Sequence, residues 1–226
     1  MTPNVFTGLE RIAQGDAAVL ATLRGLRLGL CAHPASVDSR LRHARFVLEE
    51  QGLKLCALFG PEHGYGGEAQ DLIAVGDERG ELPVYSLYGE TRRPKAEHLR
   101  DLDAVVYDIQ DVGARFYTYT ATLLNVMEEA KKAGKPVFVL DRPNPINGVD
   151  VEGSLADADK LNFIAAHTIP VRYGLTIGEL ARMMNAERNI GADLRVIKME
   201  NWSRAMRFDQ TSQIWVHSQN VSNDLC

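Results

Sequence analysis

The segment Leu53-Lys-Leu-Cys-Ala-Leu-Phe59 runs directly into Gly60-Pro-Glu-His-Gly64. The first part is short and almost wholly apolar, which is typical of a strand buried on both faces of a sheet. The second part is a turn between glycines that carries a carboxylate and an imidazole, and glycine lets the backbone approach a ligand closely. A buried strand that ends in a polar turn is typical of α/β proteins whose site lies at one edge of the sheet.

The same feature recurs along the chain, because short apolar runs alternate with stretches of helical periodicity. Strands are predicted for residues 26–32, 53–59, 82–87, 104–109, 136–140 and 194–199. Helices are predicted for residues 8–23, 39–51, 94–99, 117–133 and 176–188. This alternation indicates βαβ units, so the predicted fold class is α/β with a mostly parallel sheet.

Two of the predicted helices begin with recognisable capping residues. Ser39 is placed to cap the second helix, and Thr176 with Glu179 three residues later forms a capping box at the last one. Four apolar residues of the second helix are expected to face the core: Leu41, Phe46, Val47 and Leu48.

Polar side chains collect at the ends of the predicted strands. Right-handed crossovers place the C-terminal ends of parallel strands at one edge of the sheet, where ligands of open α/β proteins bind. Four strands end in such residues: His33, Glu62 with His63, Asp108 with Asp111, and Asp141 with Arg142. We therefore expect the functional site at this edge.

Composition and charge exclude several classes of protein. The chain has 226 residues and a formal net charge of -5, without a long run of Lys or Arg, which argues against nucleic acid as a partner. No stretch approaches the roughly 18 apolar residues of a membrane span. Residues 1–10 show no signal peptide, so the expected location is cytoplasmic, or periplasmic or secreted if a native start lies upstream of Met1.

Familiar cofactor and nucleophile motifs are absent. The chain has no G-x-S-x-G elbow, no P-loop and no C-x-x-C pair. Gly64-x-Gly66-x-x-Ala69 matches a loose dinucleotide fingerprint, but it follows the second strand rather than the first, and no clear helix begins there. His33, His63 and the nearby aspartates show no diagnostic metal-ligand spacing. We therefore expect neither a cofactor nor a metal.

The carboxylates at this edge are open to a catalytic and a structural interpretation. Glu62 can act as a general acid or base, or it can cap a nearby helix. Asp108 and Asp111 lie just past a strand together with Arg115, which can neutralise one of these acids or clamp a carboxylate of a ligand. The structural alternative is an internal salt bridge that orders the loop.

The remaining candidates have similar alternatives. Tyr117 follows the acids and suits stacking on a sugar ring, or it anchors the start of a helix, as is expected of Phe116. Asp141, Arg142 and Asn144 lie in a stretch that two prolines stiffen, where bracing of the loop and direct contact with a ligand are both consistent with the sequence.

Five segments taken together resemble the exo-β-N-acetylmuramidase family. They are Phe59-Gly-Pro-Glu-His-Gly64, Pro83-Val-Tyr-Ser-Leu-Tyr-Gly89, Tyr107-Asp-Ile-Gln-Asp-Val-Gly113 with Arg115-Phe-Tyr-Thr-Tyr119, Val139-Leu-Asp-Arg-Pro-Asn-Pro145, and Gly174-Leu-Thr-Ile-Gly-Glu-Leu-Ala181. The resemblance runs from about residue 8 to residue 207. Two departures are Gly66, where the family often has arginine, and Trp215-Val-His-Ser-Gln-Asn220, where it usually has a proline-rich segment.

This resemblance implies an exo-acting glycoside hydrolase that releases β-linked N-acetylmuramic acid from the non-reducing end of peptidoglycan fragments. Its partners would be peptidoglycan-derived disaccharides or glycan chains. It also implies a Rossmann-like catalytic domain with helices on both faces of the sheet, followed by a smaller C-terminal domain. Glu62 matches the glutamate of the family's Gly-x-Glu-His-Gly motif and is expected to be the catalytic acid.

Glycoside hydrolysis also needs a second carboxyl group. Asp108 or Asp111 is expected to be that partner or an electrostatic stabiliser, and His63 is expected to orient Glu62. Arg115 is a candidate for binding the lactyl carboxylate of the sugar. Further candidates for substrate contact are Tyr117, Asp141, Arg142 and Asn144.

The resemblance predicts a Rossmann-like catalytic domain over residues 1–207 and the truncated start of a C-terminal domain over residues 208–226. Two other functions stay open. A truncated chain can hold a sugar without turning it over, in which case only an extended chain would be active. A nucleotide-dependent oxidoreductase can be built on the same sheet, in which case a labelled nicotinamide cofactor would bind.

Overall fold

The computed structural model describes residues 4–62, 64–65, 82–89 and 91–217. Within these residues, the strands are Arg27–Ala32 (β1), Lys54–Gly60 (β2), Val84–Ser86 (β3), Ala104–Asp108 (β4), Val137–Leu140 (β5) and Leu194–Ile197 (β6). The α-helices are Gly8–Ala13 (α1), Ala17–Leu23 (α2), Ala44–Glu50 (α3), Ala96–Leu99 (α4), Tyr119–Lys132 (α5) and Ile177–Glu187 (α6). None of these helices is long and apolar enough to be a membrane span.

The described strands form one sheet in the order β3-β2-β1-β4-β5-β6, and every pair is parallel. This is the strand order of a doubly wound Rossmann-like sheet, in which the direction of winding reverses between β1 and β4. Ala32 pairs with Asp108 across that reversal, so the two strands end at the same level. The predicted α/β fold with a mostly parallel sheet is confirmed.

The sheet has a hydrophobic core on each face. Ala104 and Val106 of β4 contribute to one core, which also contains apolar residues of α1, α2 and α3. Val105 and Tyr107 contribute to the other core, together with α5 and α6. Because both faces of each central strand are covered, the strands read as continuous apolar runs, and this is why they could be located in the sequence.

The first predicted helix, over residues 8–23, is wrong as a single element. It is divided into α1 and α2 at Gly15, whose φ of 76° is outside the right-handed helical region. Asp16 then caps α2, because its Oδ1 accepts hydrogen bonds from the backbone of Ala18 at 3.0 Å and Val19 at 3.2 Å. The apolar residues keep a helical spacing across Gly15 because both short helices pack against the same core.

The second predicted helix begins five residues later than expected. Asp38 accepts hydrogen bonds from the backbone of Arg40 and Arg42, both at 2.9 Å, and this turn replaces the predicted first turn of helix. Leu41 consequently has a φ of 61° and is exposed, and Phe46 on the outer side of α3 is exposed as well. The prediction that these two residues face the core is wrong, whereas Val47 and Leu48 are buried as predicted.

The last helix begins as its sequence predicts. Thr176 accepts a hydrogen bond from the backbone of Glu179 at 3.2 Å, and the Glu179 carboxylate accepts one from the backbone of Thr176 at 3.0 Å. The capping box is therefore formed, and it fixes the N-terminus of α6 beside the end of β5. Most of the connection that follows β2 lies outside the described residues.

Candidate active site

The predicted site residues lie at the C-terminal edge of the sheet. Glu62 follows β2, Asp108 ends β4 and Asp141 follows β5, with β1 between the first two of these strands. The winding of the sheet reverses between β1 and β4, and ligands of open α/β sheets bind outside such a reversal. His63, which we predicted to orient Glu62, lies outside the described residues.

Glu62 lies at the N-terminus of a long helix. Its Oε2 accepts a hydrogen bond of 2.5 Å from the Thr118 hydroxyl, and Thr118 is the N-cap residue of α5. The Thr118 side chain does not cap its own helix. Because the Thr118 hydroxyl binds one of its two carboxyl oxygens, the Glu62 side chain is held in one place at the start of α5. Sequence reasoning missed Thr118, which is 56 residues from Glu62.

The turn that presents Glu62 is compact. Gly64 donates a backbone hydrogen bond of 2.9 Å to Pro61 and has a φ of 78°, which favours glycine. A Cβ at Gly60 would collide with the backbone of Gly64 and Tyr65. The two glycines on either side of Glu62 are therefore required by the turn itself.

Asp108 forms an ion pair with Arg142 that is almost wholly buried. Its two carboxylate oxygens accept hydrogen bonds from Nε at 2.6 Å and from Nη2 at 2.8 Å of Arg142. Arg142 also donates to the backbone oxygen of Val37 at 3.1 Å. The pair therefore joins the end of β4, the segment after β5 and the loop after β1. Arg115, the arginine nearest to Asp108 in the sequence, is not the cation in this pair.

Asp111 is a buried carboxyl group with one satisfied oxygen. Its Oδ2 accepts hydrogen bonds from the Gly113 backbone at 3.0 Å and from the Tyr173 hydroxyl. Its Oδ1 has no hydrogen-bond partner within the described part of the chain. Burial raises the pKa of Asp111 to about 6. A carboxyl group with such a pKa can exchange a proton near neutral pH, which is the property of a general acid or base.

His33 is a second buried polar group at this edge. Its ring packs edge-on against Tyr119 with centroids 4.9 Å apart, and its Nδ1 lies 3.2 Å from the Ser36 hydroxyl. Its Nε2 has no hydrogen-bond partner among the described residues. Burial lowers the pKa of His33 to about 3, so the imidazole is neutral. Unsatisfied buried polar atoms are uncommon, and the two such atoms here, on His33 and Asp111, follow the adjacent strands β1 and β4.

Asp141 and Asn144 brace the loops around them. Asp141 accepts hydrogen bonds from the Gly178 backbone at 2.8 Å and the Thr176 hydroxyl at 3.0 Å, at the N-terminus of α6. Burial raises the pKa of Asp141 to about 6. Asn144 donates to the backbone oxygen of Leu175 at 2.9 Å and accepts from the backbone of Ile146 at 3.1 Å. These contacts agree with the structural interpretation of both residues.

Arg115 and Tyr117 differ in what they offer to a ligand. Arg115 donates from Nη1 to the backbone oxygens of Ser154 at 2.7 Å and Ile169 at 2.6 Å. Tyr117 is partly exposed, as is Phe116 beside it, so the expectation that Phe116 lies in the core is wrong. The exposed ring of Tyr117, which precedes Thr118 in the chain, is suited to stacking on a sugar.

No group of three His, Cys, Asp or Glu side chains that could hold a metal ion occurs in the described ranges. The polar groups described at this edge are carboxylates, hydroxyls, one neutral imidazole and the paired guanidinium of Arg142. Such groups can transfer protons and stabilise a developing positive charge, as the hydrolysis of acetals and glycosides requires.

Comparison with known proteins adds a consistent set of similarities. The profile of the family described as exo-beta-N-acetylmuramidase NamZ, N-terminal, matches residues 28–224. The chain is 46% identical over 213 residues to the peptidoglycan beta-N-acetylmuramidase NamZ of Bacillus subtilis (strain 168), which covers 92% of this chain and 51% of that protein.

Two crystal structures of DUF1343 family proteins from Bacteroides fragilis NCTC 9343 have the same fold. One is 41% identical to this chain with a TM-score of 0.86, and the match covers 96% of this chain and 55% of the crystallised protein. The other is 29% identical to this chain with a TM-score of 0.77, and the match covers 91% of this chain and 55% of the crystallised protein. The chain thus spans about half the length of the relatives that it matches.

We predict that Asp108→Asn strongly destabilises the protein, because it leaves the buried Arg142 guanidinium without its counter-charge. The expected loss in the free energy of unfolding is about 3–5 kcal/mol, measured by urea denaturation. Asp157→Asn is the matched control, since it removes an exposed ion pair with Lys160 and should change the free energy by less than about 0.5 kcal/mol. Equal effects of the two substitutions would contradict the bracing role of Asp108.

We predict that Asp111 makes stability depend on pH. The folded carboxyl has a pKa of about 6, above the ordinary aspartate value of 3.8, so the native state keeps a proton that the unfolded state releases. The contribution of this group to stability is therefore lost as the pH rises from about 4 to 6. Relative to Asp111→Asn, the wild type should lose about 1–3 kcal/mol over that range.

Urea denaturation at several pH values between 4 and 8 measures this difference. Asp157→Asn, at an exposed position, should stay within about 0.5 kcal/mol of the wild type at each pH. A difference between the wild type and Asp111→Asn that is constant across the range would rule out the raised pKa.

Proposed function

Because this chain belongs to the family described as exo-beta-N-acetylmuramidase NamZ, N-terminal, we propose that it carries the catalytic part of an exo-acting glycoside hydrolase. The proposed reaction releases β-linked N-acetylmuramic acid from the non-reducing end of peptidoglycan fragments. Identity of 46% to a relative named peptidoglycan beta-N-acetylmuramidase supports both the reaction and the substrate class. We further propose that the catalytic domain comprises residues 1–207 and that residues 208–226 begin a second domain.

The placement of Glu62 at the N-terminus of α5 is the observation that carries this proposal. A glycosidase needs a carboxyl group held at a fixed position against the glycosidic oxygen. Glu62 is partly exposed at the edge of the sheet, and its second oxygen is bound to Thr118 at 2.5 Å. We assign Glu62 as the acid that protonates the leaving oxygen, with Thr118 as the residue that positions it.

The contacts favour Asp111 over Asp108 as the second carboxyl group. Both oxygens of Asp108 are bonded to Arg142, whereas Asp111 has one oxygen without a partner among the described residues. With its pKa of about 6, Asp111 is ionised at neutral pH and can serve as the base or nucleophile. β1 separates β2 from β4, so the ends of these two strands are about 10 Å apart, and Glu62 and Asp111 lie on the turns that follow these ends.

Substrate binding is proposed to use the exposed ring of Tyr117. Its ring lies 6.1 Å from that of Tyr119, which packs against His33 at the same edge. Arg142, Asp141 and Asn144 support the surrounding loops through their internal contacts. The guanidinium of Arg115 is bonded through Nη1 to two backbone oxygens, which fixes its orientation, and Arg115 stays a candidate for binding the negatively charged lactyl group through its other N–H donors.

We predict that Glu62→Gln abolishes most of the activity, because an amide cannot donate a proton to the leaving oxygen. The expected loss in kcat/KM is about 100-fold to 10,000-fold on a chromogenic β-N-acetylmuramide. Glu97→Gln, at an exposed position of α4, is the control and should keep the wild-type rate.

The measurement uses this chain and a chimera in which the remaining half of the Bacillus subtilis relative is joined to it. Activity of the chimera with loss in Glu62→Gln supports the assignment even where the shorter chain is inactive. Unchanged turnover in Glu62→Gln would refute Glu62 as the acid.

We predict that Thr118→Val lowers kcat about ten-fold or more, because it removes the hydroxyl that positions Glu62. Thr118→Ser keeps the hydroxyl donor and should retain most of the wild-type rate. If the side chain served only to pack, Thr118→Val, which keeps its shape, would retain the rate instead. The pH profile of kcat should also shift in Thr118→Val and return in Thr118→Ser. Equal rates and profiles in the three proteins would contradict a positioning role.

A further inference from the structure

A pocket of about 290 Å³ lies beside α5, outside the group of residues assigned to catalysis. It is bounded by the first two turns of α5, by residues 161–166 and by arginines of two other segments. Its volume is near the lower end of the range for small-molecule sites, so it suits one small polar group with a few carbon atoms rather than a chain of sugars.

The pocket carries uncompensated positive charge. Three arginines line it: Arg92, Arg93 and Arg188. Arg93 is paired with Glu128 at 2.5 Å and with Glu129 at 3.1 Å. Arg92 and Arg188 have no carboxylate within 4.0 Å in the part of the chain that the structure describes, although the chain as a whole has a net charge of -5. An anion is therefore the complementary ligand.

Arg92 is held in a fixed orientation. Its Cζ lies 4.3 Å from the centroid of the Phe163 ring and 5.4 Å from that of Tyr88. The Asn125 side chain donates a hydrogen bond of 2.8 Å to the backbone oxygen of Arg92, which ties this segment to α5. A guanidinium stacked on an aromatic ring keeps its N–H edge available, and that edge matches the two oxygens of a carboxylate.

The pocket lies on the same face of α5 as the contact to Glu62. Thr118 binds Glu62, and Ala121 and Asn125 line the pocket at positions three and seven residues further along. This spacing places the three residues on one side of the helix. With a rise of 1.5 Å per residue, the pocket begins about 5 Å from Thr118 and extends to about 10 Å. A substituent of the sugar bound at Glu62 can reach that distance.

We propose that this pocket binds a carboxylate of the substrate, with Arg92 as its clamp and Arg188 as a second cation. The assignment rests on the proposed function for the identity of the substrate. In peptidoglycan fragments such a carboxylate comes from the lactyl group of an unsubstituted sugar or from the peptide attached to it. Both sources present the same planar anion to Arg92.

Direct binding tests this assignment without requiring turnover. The 226-residue chain is titrated in a calorimeter with N-acetylmuramic acid, with the muramyl dipeptide, and with N-acetylglucosamine, which lacks a carboxylate. Arg92→Gln should raise Kd about ten-fold or more for a carboxylate-bearing probe and leave the affinity for N-acetylglucosamine unchanged. Arg92→Lys keeps the charge without the planar fork, so its Kd for the same probe should lie between those of the wild type and Arg92→Gln.

Arg24→Gln provides the matched control, since Arg24 is an exposed arginine at the end of α2 and lines no part of the pocket. An effect of Arg92→Gln on N-acetylmuramic acid alone identifies the lactyl carboxylate as the source. An effect on the dipeptide alone identifies the peptide, because the lactyl carboxylate there is an amide. The proposal is overturned if no carboxylate probe binds the wild type, or if Arg92→Gln affects all probes equally or none.

The failure of this proposal can be distinguished from failure of the proposed function. Hydrolysis that depends on Glu62, together with binding that is unaffected by Arg92→Gln, refutes the pocket and keeps the function. Binding of a carboxylate that depends on Arg92, without hydrolysis by the chain or its chimera, keeps the pocket and refutes the function.

Discussion

The buried ion pair between Asp108 and Arg142 fixes the edge of the sheet on which the site is built. Removing both charges from water costs free energy, and only the paired geometry with distances of 2.6 and 2.8 Å compensates for that cost. Arg142 adds a bond to Val37, and Ser36 donates to the backbone oxygen of Asp108. The loop after β1, the end of β4 and the segment after β5 therefore share one arrangement, and the unsatisfied groups of His33 and Asp111 lie beside it.

α5 connects this edge to the rest of the proposed substrate site. The Tyr107 hydroxyl donates to the backbone oxygen of Tyr119 at 2.9 Å, which locks the first turn of the helix against the sheet. With that turn fixed, Thr118 presents its hydroxyl to Glu62, and the same side of the helix lines the pocket that contains Arg92. One rigid helix thus sets the distance between the proposed acid and the proposed anion site.

Asp111 and Asp141 show how packing separates two carboxyl groups that look alike in the sequence. Each follows a strand, and burial raises the pKa of each to about 6. Asp141 has both oxygens bonded at the N-terminus of α6, whereas Oδ1 of Asp111 has no partner among the described residues. The first arrangement stabilises the fold, and the second leaves a group available for chemistry.

The sequence by itself determined the α/β class, the strands, the edge on which the polar residues collect and the capping box at Thr176, because apolar runs, helical periodicity and caps are local features. The family resemblance depended on the same local segments. Only the tertiary structure decided which charged groups meet. Asp108 pairs with Arg142, 34 residues away, instead of Arg115, seven residues away, and Glu62 binds Thr118 across 56 residues. Such contacts depend on which loops the packed sheet and helices bring together. The local sequence around either residue does not predict its distant partner.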